Sequence, residues 1–154
     1  MTLQAELRCL DQASAPERTE LRDTFVAWLQ NPDHAPLQIT GRLFSSLGPG
    51  EGCCAVGGLL TVLATAGYAR IDPDGDGATV VLRNGAAQHQ LVVLGENGTF
   101  LDERGADVLP DELAAALGLG LSLSQIAELN DGPCVPHAFW EIAEIALERQ
   151  TPLL

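Results

Sequence analysis

Two adjacent cysteines, Cys53 and Cys54, follow the glycine-rich stretch "GPGEG" and open the apolar run "AVGGLLTVLATAG". A thiol at a helix N-terminus lies in the positive end of the helix dipole, which favours the thiolate and therefore nucleophilic attack. Such a nucleophile needs a base to take its proton and a carboxylate to orient that base. His89 and Asp102 supply both types further along the chain. The same thiols have another use, because unbridged cysteine is among the most often buried residue types, and Ala55, Gly57 and Gly58 allow a neighbouring element to come close. His89 shares an alternating face with Leu91 and Val93, as a hydrogen-bonded sheet histidine would. The packed pair carries the greater weight, and the Cys-His-Asp set remains the alternative.

Metal chemistry fits less well. Cys53, Cys54, Cys134 and His137 are suitable zinc ligands by type, but adjacent cysteines lack the two-residue gap that wraps a knuckle around the ion. "DPDGDGATVVLR" begins like a calcium loop with Asp72, Asp74, Asp76 and Gly77, yet Arg83 stands where a bidentate glutamate is required. No cofactor or metal is expected. Asn130 and Asp131 could line a binding site, although both types also cap helices and make Asx-turns. Trp28 and Trp140 each lie in a helical apolar stripe, which points to core packing.

The elements that position these residues are legible from caps and periods. "SAPERTELRDTFVAWLQN" opens on a capping box of Ser14 and Glu17, and Leu21, Phe25, Trp28 and Leu29 follow at helical spacing. The cysteine helix ends near Gly67, which suits a left-handed cap. "ATVVLRNGAAQHQLVVLGENGTFLD" has β-branched runs divided at Asn84-Gly85 and Asn97-Gly98, the signature of tight hairpins. Three further helices follow: one with Pro110 at its first position, one capped by Ser122 and Gln125, and a last one with Phe139, Ile142, Ala143 and Leu147 on its buried face. This last face is expected to cover Phe25 and Leu29. The fold class is α+β, with helices packed around a small three-stranded antiparallel meander, in a single domain of residues 1–154.

Composition narrows the partners. Twenty-one acidic residues oppose eight arginines and no lysine, for a formal charge of -13, so the cation clusters that neutralise phosphates are missing and nucleic-acid binding is not expected. No run reaches the roughly 18 apolar residues of a membrane span, and the N-terminus lacks a signal pattern. A reduced cytoplasmic protein is expected, with a protein partner or self-association as its mode of action.

The motifs "QITGRL" (38–43), "GCCAVGGLL" (52–60), "LPDELAAALGL" (109–119), "IAELND" (126–131) and "AFWEIAEIAL" (138–147), together with Trp28, occur in an order that resembles a family of small phage and bacterial proteins. The family motif has a third cysteine where Leu59 stands, and residues 72–102 have no counterpart in it. The resemblance implies an intracellular module in a phage or mobile-element setting, and it carries no activity. The order of cysteine on a helix, histidine on a strand and carboxylate on the next strand is also similar to transglutaminase-like and arylamine acetyltransferase folds. That similarity implies a thiol-dependent acyltransferase or hydrolase using Cys53 or Cys54, His89 and Asp102.

Overall fold

A computed structural model describes residues 8–40, 44–45, 48–71, 77–84, 87–94, 99–101, 107–108, 111–132 and 136–151. After a 3-10 turn at Leu10–Gln12 comes α1, Ala15–Gln30. The Ser14 hydroxyl accepts from the Glu17 N–H at 3.2 Å, as the sequence requires, while the Glu17 carboxylate accepts from the Ser14 hydroxyl rather than from its backbone. A second 3-10 segment, Pro32–Leu37, leads to a two-stranded antiparallel sheet of β1 (Phe44–Ser45) and β2 (Gly48–Cys53).

The next helix, α2 (Ala55–Thr65), is the apolar centre of the molecule. It packs against α1, against β2 and β3 (Ala69–Ile71), and against α4 (Leu123–Asp131). Every residue from Ala55 to Leu60 is buried, so small side chains are needed where neighbours approach. Gly58 is the tightest point: a Cβ there would fall 2.8 Å from Cη2 of Trp28 and nearer still to Cζ3. The helix stops at Gly67, whose φ of 87° lets the Tyr68 N–H donate back to the Leu63 carbonyl at 2.8 Å.

The large sheet corrects the three-stranded expectation. It has five antiparallel strands in the order β3, β4 (Gly77–Asn84), β5 (Ala87–Leu94), β6 (Thr99–Leu101) and β7 (Asp107–Val108). The hairpins fall next to the turn dipeptides: Asn84 is the last residue of β4 and pairs with Ala87, one position on from the expected turn, and Leu94 pairs with Thr99 across a four-residue connection. The extra strands β3 and β7 span three and two residues, too short to show an alternating pattern. The fold is α+β, and Ala69, Ala78 and Val80 join the sheet to the helical core.

The chain closes with α3 (Asp111–Ala116), α4 and α5 (Phe139–Arg149). Pro110 lies outside the described residues, whereas the Ser122–Gln125 capping box is complete, with bonds of 2.9 and 3.1 Å. As expected, α5 packs on α1. Its buried face is Phe139, Ile142, Ala143 and Ala146, so Leu147 is 43% exposed and Trp140 55% exposed, correcting both side chains' assignment to the core. Alanines at 143 and 146 let the two helix backbones draw close, which turns the bulkier neighbours outward. No helix among the described residues is long and apolar enough to cross a membrane.

Candidate functional site

The start of α2 is buried, so its orphan N–H groups cannot be left to water. Two side chains take that role. Cys54 is the N-cap in extended backbone, and its Sγ accepts from the Gly57 N–H at 3.4 Å. Asn130, fully buried on α4, accepts the Ala55 N–H on its Oδ1 at 3.1 Å. Cysteine stands here where serine or aspartate usually caps, because a thiol is less costly to bury than either.

Asn130 has no hydrogen-bonding capacity left. Its Oδ1 also accepts from Gln38 Nε2 at 3.0 Å, while Nδ2 donates to the Ile39 carbonyl at 2.8 Å and to Asp131 Oδ1 at 3.1 Å. Two acceptor positions and two donors are the full inventory of an amide side chain. Gln38 donates in addition to the His137 carbonyl at 2.8 Å, and the Ile39 N–H bonds the Cys53 carbonyl at 3.0 Å. One residue thus ties three distant segments together: α4, the chain after the 3-10 segment, and the N-terminus of α2. Asp131 is half-buried beside it.

Cys53 closes β2 opposite Phe44 and is only 3% exposed. Burial pushes its thiol up to about 12, and the neighbouring Cys54 adds to the rise. At neutral pH only about one molecule in 10⁵ then carries a Cys53 thiolate, against a few per cent for an ordinary cysteine. The dipole of α2 does not reverse this, since it is worth about 1 kcal/mol and desolvation of a buried anion is worth more. His89 lies on β5, paired with Leu82 of β4. Asp102, Cys134 and the aspartates at 72, 74 and 76 lie outside the described residues. His137 is half-buried, with Nδ1 unpartnered among the described residues. No group of three or more His, Cys, Asp or Glu side chains among those residues is arranged to hold a metal.

A different place stays open to solvent. Between α1 and α2 runs a groove of about 430 Å3, which sequence reasoning did not single out. Leu21 and Val62 form its apolar floor, Thr24, Thr61 and Thr65 its walls, and Trp28 one end. At the other end the Arg8 guanidinium lies 4.4 Å above the Tyr68 ring and 2.8 Å from Glu17 Oε2. The Tyr68 hydroxyl also donates to Glu17 Oε2 at 3.0 Å. That bond, then the one from Ser14, holds the Glu17 carboxyl below its usual range, with Arg8 contributing less. The only sequence signal for the groove is the spacing of Glu17, Glu20, Leu21, Thr24 and Trp28, which places them on one helical face. The exposed pair Trp140 and Leu147 forms a second open surface, flanked on α5 by the exposed Glu144 and Glu148.

No protein-family model, curated protein or solved structure matches this chain.

Proposed function

We propose that this chain is a non-catalytic intracellular module that acts by binding another protein or a second copy of itself, in the phage or mobile-element setting its motif order implies. The observation that supports this is the state of the thiol pair. Cys53 is buried and its proton is held tightly, and the Cys54 sulfur is committed to the cap of α2. A thiol enzyme needs the opposite: a reachable sulfur with a depressed pKa beside an imidazole. The strong negative charge argues for a protein partner over nucleic acid or an anionic membrane. Two of the eight arginines are moreover spent inside: Arg18 bonds the Ala13 and Ala116 carbonyls, and Arg22 bonds the Thr151 carbonyl at 2.7 Å.

Site-resolved alkylation with iodoacetamide tests the reading. The folded protein is expected to leave Cys53 and Cys54 unlabelled at pH 7 and to label both once unfolded in guanidinium. Rapid labelling of either in the folded protein, with a pH midpoint below that of free cysteine and a dependence on His89, replaces this reading with the thiol-dependent acyltransferase or hydrolase.

A further inference from the structure

The walls of the groove between α1 and α2 are polar in one way. Each of its three threonines donates its single hydroxyl proton to the carbonyl one turn back: Thr24 to Glu20 at 2.7 Å, Thr61 to Gly57 at 2.9 Å and Thr65 to Thr61 at 3.0 Å. What these side chains have left to offer is oxygen lone pairs. The carboxylate of Glu20 stands at the rim and has no cationic partner among the described residues. Glu17 is already taken, by Arg8, Tyr68 and Ser14. A groove with an apolar floor, acceptor-only walls and one unspent carboxylate suits a ligand with an apolar stem and a donor-rich cationic head.

We infer that this groove is the docking slot for the arginine or lysine side chain of a peptide segment on a protein partner. The chain contains its own example of the recognition, since Arg8 lies at one end with its guanidinium on the Tyr68 ring and against Glu17. One turn further along α1 from Glu17, the Glu20 carboxylate faces the same groove, with Thr24 and then Trp28 beyond it. Stem methylenes would cover Leu21 and Val62, and the head would meet Glu20 and the threonine oxygens. A partner carrying such a side chain is also drawn in by the net charge of -13. This inference rests on the non-catalytic reading above and adds the chemistry of the partner.

The test uses the full chain, labelled with 15N, and a capped pentapeptide with one arginine between leucines. Its control is the same peptide with citrulline, which keeps the shape and loses the charge. The arginine peptide is expected to shift the amide signals of Glu20, Thr24, Thr61 and Thr65. Its affinity should fall about tenfold on changing arginine to citrulline, and by a similar factor in Glu20→Gln. Thr61→Val, of the same shape, should weaken binding without lowering Tm, which separates lost acceptors from lost fold. Equal shifts with citrulline, shifts centred on α5, or no shift at millimolar peptide would overturn the slot. So would spermidine displacing the peptide fully at lower concentration, which would make a free polyamine the occupant. Inert thiols together with any of these results leave the non-catalytic reading standing and remove only the slot.

Discussion

The two ends of α2 meet very different surroundings. At its N-terminus are the residue types most associated with chemistry: two cysteines, an asparagine and an aspartate, within a few ångströms of one another. At its C-terminal half are two threonines facing a groove shared with the tryptophan and glutamates of α1. The first end is sealed and its amide and capping sulfur are spent on holding segments together. The second is open, and its lone pairs and one carboxylate are unspent. A residue's type marks what it could do, whereas its remaining hydrogen-bonding capacity and its exposure decide what it can do for a ligand.

Breaking the sealed end should have the largest effect. Asn130→Ala strands the Ala55 N–H and the Ile39 carbonyl in a dry environment, and each stranded group costs about 1 to 3 kcal/mol, so a loss of about 3 to 5 kcal/mol is expected by chemical denaturation. A loss below about 1 kcal/mol would mean that water reaches the site and that it is less sealed than described. Asn130→Asp sharpens the point. It keeps an oxygen for Ala55 but turns the donor that serves Ile39 and Asp131 into a second acceptor. Its ionised form is repelled there, so the folded pKa of the introduced group lies above its unfolded value. The variant is therefore expected to be closest to wild type below about pH 4 and to lose stability as pH rises through the raised pKa.

Much of this contrast lay beyond sequence reading for a physical reason. Local signals carried well: the caps at Ser14 and Ser122, the stop at Gly67 and both hairpins depend on residues within five positions of one another. Asn130 could be seen as a capping type, but apart from the adjacent Asp131 its partners lie 75 to 92 positions away, and no local pattern encodes them. The buried face of α5 was placed nearly correctly and still exchanged Leu147 for Ala146, because periodicity ranks residues by apolarity while close helix approach selects small ones. The groove was missed since threonine and glutamate on a helix surface look like any solvated face until a second helix encloses them.

The middle of α2 connects the two ends. Gly58→Ala places a methyl group against the Trp28 ring, which is itself stacked on His34 with centroids 4.3 Å apart and packed on Phe139 at 5.1 Å. The ring has little room to yield, so a cost of about 1 to 3 kcal/mol is expected. The same change should move the Trp28 end of the groove, visible as altered Trp28 emission in a Trp140→Phe background. Unchanged stability and emission would show that the indole moves freely and is no fixed boundary.

A smaller effect separates the cysteines from their neighbours. Cys54→Ala removes a helix cap and is expected to cost about 1 kcal/mol, with Cys54→Ser recovering part of it. Cys53 contributes differently. Its folded pKa, about 12, lies above the ordinary thiol value, so the stability it confers is complete below about pH 9 and is lost as pH rises towards 12. Cys53→Ala should flatten the decline of Tm across that alkaline window. An equal decline in variant and wild type would indicate that the thiol ionises without unfolding, as an accessible thiol would.

The finest adjustment is at the open end. Tyr68 is almost fully buried, yet its hydroxyl reaches Glu17 and is the largest reason that this carboxyl sits below its usual range. Tyr68→Phe deletes that donor and keeps the ring that supports the Arg8 guanidinium. The Glu17 pKa, followed by the pH dependence of its side-chain NMR signals, is therefore expected to rise towards the ordinary carboxylate value without reaching it, because Ser14 and Arg8 remain. Its sign in stability is fixed as well: a lowered folded pKa favours the fold above the unfolded value and loses that contribution as pH falls, so the variant should be less sensitive to mild acid than wild type. With one acceptor position of Glu17 freed from the tyrosine hydroxyl, the arginine peptide gains access to a second carboxylate and should bind the variant somewhat more tightly. Weaker binding would instead mean that the Arg8 clamp shapes the groove, and that the two ends of α2 differ less in rigidity than in exposure.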